Sequence, residues 1–192
     1  MKDKLTLRNI LIWCAGLFGI LVFIFSFLAA YRLTHGADWS EIRTFIWGAR
    51  TTVNSDGSSQ TVSPENAAKA APLAIVGAFL VLVGALCAVC MSLFGDKLFK
   101  NEKIGKIVLF VAGGFMVLGG VFAFFAQGQF EQLNYVDTSH GAIKSVEEYR
   151  KMIADAGFKI SCALPVISGI LAILGGGAVV ASQFIPDKKL GK

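Results

Sequence analysis

Charged and polar residues are distributed so unevenly along the chain that four stretches lack Asp, Glu, Lys, Arg and His altogether: Ile10–Tyr31, Ala70–Phe94, residues 107–130, and Ile160–Pro186. Each is longer than the roughly 18–20 residues needed to cross about 30 Å of hydrocarbon. The pattern predicts an all-α integral membrane protein. Four transmembrane helices, about 10–31, 71–94, 107–127 and 160–184, would form an up-down bundle within one domain, 1–192. Outer loops of about 32–70 and 128–159 would build a small extracytoplasmic cap, and about 95–106 would be the inner loop.

Helices in lipid gain little from hydrophobicity against one another, so close packing requires small side chains. Every span supplies them. The first has Ala15-x-x-x-Gly19. In the second, Gly77 and Gly84 lie seven apart, and Gly84, Ala88 and Ser92 continue the stripe. The third repeats Gly113-Gly114 as Gly119-Gly120, and the fourth has Ser168, Ala172 and Gly176. Gly19, Gly77, Gly84, Gly113, Gly120 and Gly176 are the expected helix-packing positions, and their spacing suits left-handed packing. Pro165, placed inside the fourth span, predicts a kink near its outer end, with the Ser161 hydroxyl beside the freed carbonyl.

The outer segments hold the remaining elements. Asp38-Trp-Ser-Glu41 looks like a capping box, and Trp39, Ile42 and Ile46 follow at helical spacing. A short surface helix is expected there, with Trp39, Trp47 and Tyr31 at headgroup depth. Thr51-Thr-Val53 and Gln60-Thr-Val62 flank Asn54-Ser-Asp-Gly57, the pattern of a short hairpin. Ser63-Pro64 reads as an N-cap with proline at the first helical position, so the second span would begin at Pro64 and bend at Pro72. In the second outer loop, Ser145-Val-Glu-Glu148 is a capping box and Gly157 a stop. Between them Val146, Tyr149, Ile153 and Ala156 form one face. Trp39, Ile42, Ile46, Trp47, Tyr149 and Ile153 together form the expected interaction surface.

Composition sharpens this picture. The chain is 55% apolar and 16% charged, with a mean hydropathy of +0.64, against roughly 25% charged in soluble domains. That excludes a soluble globule, a disordered tail and a disulfide-stapled module. The net charge of +5 at a pI of about 9.1 resembles a nucleic-acid signature until it is assigned to segments. The two tails and the 95–106 loop carry ten basic and four acidic residues; the two outer segments carry eight basic and nine acidic. Basic residues crowding the short loops place both termini in the cytoplasm, and no nucleic-acid partner is expected. A cleaved signal peptide is the competing account of the first span. Its apolar run of about 21 residues is long against the usual 7–15, and Leu28 is not small at the cleavage position, so a retained anchor is expected.

Candidate chemistry is sparse. Cys87-Ala-Val-Cys90 is a C-x-x-C pair of the kind used by four-helix membrane thiol oxidases. Here it falls near the inner end of the second span, the outer loops lack cysteine, Cys14 is near the inner face and Cys162 near the outer. Small, soft packing residues are the expected role. His35, Asp38, Glu41, Asp137 and His140 would surround a metal or an acid–base centre only if the two outer loops converge, which no spacing demands. No catalytic residue, cofactor or metal is expected, and no phosphate loop or hydrolase signature is present. The uncharged spans lack the buried titratable groups that pumps and ion-coupled transporters use.

A long first outer loop, a shorter second one and cytoplasmic ends resemble the outline of claudin-type tetraspan proteins. Their tryptophan-plus-paired-cysteine loop signature is missing, since Trp39 and Trp47 have no loop cysteines beside them. Function does not transfer on outline alone. The expected function is a non-enzymatic four-span protein of a bacterial cell membrane. It would act by protein–protein interaction, as a membrane-complex subunit, adaptor or structural tetraspan, through its outer loops or small-residue helix faces. The expected partners are the lipid bilayer and a homo-oligomer or other membrane or extracytoplasmic proteins. A small transporter or channel component and a membrane thiol oxidoreductase are the alternatives. Single cysteines placed at Gly57 and Asn101 in a cysteine-free chain test the orientation. An impermeant maleimide should label the first in intact cells and leave the second unlabelled; labelling at Asn101 would invert the assignment.

Overall fold

The structure is a computed structural model that describes residues 6–36, 40–61, 68–98, 102–136 and 143–185. It is mostly helical, and four helices are long and apolar enough to cross a membrane: α1 (Leu7–Phe25), α2 (Pro72–Leu98), α3 (Glu102–Phe124) and α6 (Ala163–Ser182). It is not all-α. Five strands, β1 (Ala29–His35), β2 (Glu41–Phe45), β3 (Arg50–Val53), β4 (Ser59–Thr61) and β5 (Phe158–Ser161), form one antiparallel sheet. Two short helices, α4 (Ala126–Glu131) and α5 (Val146–Asp155), and a π-helical turn (Gln132–Val136) complete the described elements. The chain divides into two compact units, one of residues 1–25, 76–123 and 167–192, the other of 26–75 and 124–166.

In the first unit the usual arrangement of large and small residues is inverted. Ala15, Ala85, Ala88 and Ala112 are buried with Ile12, Leu109, Met116 and Val179, while Leu17, Leu86, Ile107, Phe110 and Leu174 face outward. Gly19 meets the Ala85 methyl, and Gly77 and Gly119 abut so closely that a methyl on Gly77 would lie 2.7 Å from the Gly119 carbonyl oxygen. Gly84 faces the backbone of Ala112. Methyls on Gly113 and Gly120 would lie 2.8 Å from the carbonyl oxygens of Gly176 and Gly169, respectively. All six expected packing glycines therefore lie at helix crossings, where backbones approach closely enough for dispersion to act without side chains between them.

The second unit is built from both segments expected to lie outside. The sheet order is β4-β3-β2-β1-β5, so the strand from the second segment pairs with the first strand of the other. Tyr31 and Leu33 of β1 turn inward and are buried; Arg32 and Thr34, alternating with them, turn outward. The expected hairpin is present as β3–β4. Asn54 N–H donates to the Ser58 carbonyl at 2.9 Å, and Gly57 adopts φ +80°, which a side chain would disfavour. Helix α5 is also as expected: the Ser145 hydroxyl accepts from Glu148 N–H at 3.1 Å, the Glu148 carboxylate accepts from Lys144 N–H at 2.9 Å, and Gly157 ends the helix at φ +79°.

Several expectations need correction. Glu41–Phe45 is a strand, not a surface helix. Ile42 and Ile46 are four apart, a spacing compatible with both a helical and an alternating period, and pairing with β1 and β3 decides between them. The first span ends at Phe25, because Ala29–Tyr31 are apolar through burial in the sheet rather than in lipid. The fourth span begins at Ala163, since Ile160 and Ser161 belong to β5. Pro165 thus lies in the first helical turn, where its missing N–H would have had no intrahelical partner, and the basis for a kink disappears. Helix α2 begins at Pro72, and residues 68–70 are not helical, so no bent helix runs through that proline. Trp39 and Pro64 lie outside the described residues.

Neighbouring glycines give a test of the inverted packing. Gly113→Ala should destabilise the protein by about 1–3 kcal/mol through overpacking against α6. Gly114→Ala, with nothing within 4 Å of its added methyl, should be neutral or slightly stabilising. Thermal unfolding of the two variants in the same detergent checks the opposed outcomes.

Candidate functional site

The principal polar centre of the second unit is a buried carboxylate. Glu131, at the end of α4, has no exposed surface. An isolated charge there would be costly, and it persists because its oxygens are occupied. The Arg150 guanidinium donates through Nε at 3.2 and 3.1 Å and through Nη2 at 2.8 Å, and the Gln127 amide donates at 3.1 Å. Gln127 stands four residues before Glu131 on the same helix face. Arg150 comes from α5, whose capped start fixes its rotation; Tyr149, beside it, turns into the core while Arg150 remains half-exposed.

Aromatic rings enclose this pair. Tyr31 of β1 meets Phe130 and Tyr135, each with ring centroids 5.8 Å away, and Tyr135 stacks on Tyr149 at 4.5 Å and 12°. The Arg50 guanidinium of β3 lies over the Tyr135 ring, 5.5 Å from its centroid. Elements of the first segment and the second thereby share one aromatic layer. Burial, then the neighbouring phenols and the Glu131 carboxylate, push the Tyr31 and Tyr149 hydroxyls well above the ordinary phenol range. They stay protonated, yet the hydroxyls of Tyr31, Tyr135 and Tyr149 lack a hydrogen bond of good geometry. Burial, with a smaller contribution from Glu131, pushes the Cys162 thiol up to about 12, which leaves it a poor nucleophile near neutrality.

Nearby, the Asn134 side-chain amide mimics a strand: its oxygen accepts from Lys69 N–H and its nitrogen donates to the Lys69 carbonyl at 3.2 Å. This satisfies the backbone just ahead of α2. Trp47 donates to the Ser26 carbonyl at 2.8 Å and stacks on Phe27 at 5.3 Å, pinning the chain where it leaves α1.

Residues singled out in the sequence are distributed differently from the expectation. Of the expected interaction surface, Trp39 lies outside the described residues, Ile46 and Tyr149 are buried, and Ile42, Trp47 and Ile153 are half-buried. The cause is the sheet: strand alternation sends Ile42 and Thr44 toward the aromatic layer. Cys14, Cys87 and Cys90 are free thiols on outward helix faces. Cys87 lines a shallow apolar groove of about 170 Å³ with Ile107, Val111 and Phe115. The two outer segments do converge, but His35 packs on Phe158 at 4.8 Å while Glu41 pairs with arginines. Asp38, Asp137 and His140 lie outside the described residues, and no metal-binding group of three or more ligands forms among those described.

Glu131 and Arg150 were not among the expected site residues. A carboxylate at the end of an uncharged stretch is a weak signal, and its partner 19 residues away cannot be read from spacing. Neither the models of known protein families nor the curated proteins include a match to this chain.

Arg150→Met should leave Glu131 buried and unpaired, costing about 3 kcal/mol, the low end for a buried pair because the guanidinium is half-exposed. Adding Glu131→Gln should restore most of the loss. Melting of the single and double variants measures the coupling, and an Arg150→Met protein as stable as the parent would contradict the assignment.

Proposed function

We propose that this chain is a multi-pass protein of a bacterial cell membrane, with both termini cytoplasmic, that acts by protein–protein interaction. Its four long helices would alternate up and down in one bundle, with the two long connecting segments on the extracytoplasmic side of the membrane. The observation that carries this reading is the saturation of Glu131. The principal buried charge of the second unit is wholly spent on Arg150 and Gln127, inside an aromatic layer that ties both connecting segments together. A carboxylate so occupied suits a rigid display surface better than proton transfer, for which a catalytic group needs access to its substrate.

Two surfaces are available for display. One is the outer face of α5, where Lys151, Met152 and Asp155 are exposed beside Arg150. The other is the apolar exterior of the helices, on which Gly114 and Gly177 leave open space for close approach.

Purification of the full chain in mild detergent, with and without prior crosslinking in the membrane, should yield a stable homo-oligomer or a reproducible co-purifying protein. Met152→Asp should weaken an association made through α5 at least several-fold without altering melting. A strictly monomeric protein, partnerless under both conditions, would contradict the proposal.

A further inference from the structure

The sheet face turned away from the aromatic layer carries an ordered row of donors. Register places Ser161 of β5 opposite Arg32 of β1, Arg32 opposite Arg43 of β2, Arg43 opposite Thr51 of β3, and Thr51 opposite Thr61 of β4. The row therefore reads hydroxyl, guanidinium, guanidinium, hydroxyl, hydroxyl across all five strands. Directly opposed like charges destabilise an antiparallel pair. Glu41, in the next row, relieves this only partly: it accepts from Arg43 Nε and Nη2 at 2.9 and 2.7 Å and lies 3.6 Å from Arg32. Among the described residues no second carboxylate pairs with either arginine, both guanidiniums remain about 40% exposed, and Lys159 adds a third cation to the same face. Among the described residues, the face is short of anionic charge at the place where two guanidinium forks stand side by side.

Guanidiniums bind phosphate oxygens through paired N–H donors, and flanking hydroxyls extend the donor set. The chain itself indicates the source of the phosphate. Ser161 stands two residues before Ala163, where α6 begins, and two residues reach at most about 7 Å. Helix α6 is apolar from its first turn and long enough to span a membrane, with Val166 and Ile167 exposed. With α6 crossing the membrane, as proposed above, the donor row starts within headgroup distance of the point where the chain would enter hydrocarbon.

We propose that Ser161, Arg32, Arg43 and Thr51 form a phosphate clamp for the headgroup of an anionic phospholipid. Glu41 occupies part of each guanidinium when no lipid is bound and sets the strength of the clamp. The proposal concerns a lipid ligand and holds whether or not a protein partner is found.

Lipid retention by the full-length protein in mild detergent, read by native mass spectrometry with phosphatidylglycerol and phosphatidylcholine, tests it. Arg32→Gln/Arg43→Gln should reduce phosphatidylglycerol retention at least about fivefold relative to phosphatidylcholine, the effect expected of losing a single basic contact. Lysines elsewhere contribute equally to every variant. Glu41→Gln, which frees both guanidiniums, should raise retention above the parent, a gain that misfolding cannot produce. Equal retention by the parent, the double variant and Glu41→Gln would overturn the proposal. So would displacement of the lipid by inorganic phosphate at matched concentration, which would make free phosphate the ligand. Displacement by a polyglutamate peptide with the same arginine dependence would overturn it too, in favour of an acidic protein partner.

Discussion

The pairing of β1 with β5 is the contact on which the second unit depends. It joins segments more than a hundred residues apart in sequence, from Arg32 opposite Ser161 to His35 opposite Phe158. Without it, β1 would be the exposed edge of a four-stranded sheet and Phe158–Ser161 would have no strand to pair with. With it, β1 becomes an interior strand. Tyr31 is held against Phe130 and Tyr135, and the aromatic layer closes over Glu131 and Arg150. The ion pair is consequently a product of the sheet as much as a support for it: burial makes the carboxylate costly, and the same packing brings Arg150 of α5 against it to offset that cost.

A different constraint governs the helices. Lipid competes with large apolar side chains for the same contacts, so selectivity in packing comes from surfaces that lipid cannot match, namely flat backbone against flat backbone. Glycines and alanines accordingly occupy the crossings, while phenylalanine, leucine and isoleucine face outward. The contrast between Gly113, buried against α6, and Gly114, open on its other side, shows how sharply one residue of helical rotation separates the two roles.

The helices were legible in the sequence because a run of more than twenty residues without charge is rarely tolerated outside a membrane, and small-residue spacing marked their contacts. The capped helix α5 and the β3–β4 hairpin were legible because Ser145, Glu148, Asn54 and Gly57 act locally. The sheet was not. Ile42 and Ile46 fit two periods, and Ala29, Ala30 and Ile160 continue apolar runs that also belong to membrane helices. Only pairing partners distant in sequence reveal that those residues are buried by strands. The same limit hid the candidate site, since Glu131 and Arg150 each look solvated until α4, α5 and β1 are brought together. The arginine row is hidden for the same reason, being a property of register rather than of any one segment.

The central claim, that the two connecting segments share one sheet in this register, is tested most directly by a cysteine pair across β1 and β5. In a chain whose native cysteines have been replaced, Thr34→Cys and Lys159→Cys stand directly opposite, at a separation that antiparallel partners and disulfides have in common. Mild oxidation in the membrane should close this pair within one chain, seen as a mobility shift reversed by reductant, while Thr34→Cys with Lys151→Cys should stay open. Failure of the first pair to close, or equal closure of both, would contradict the shared sheet.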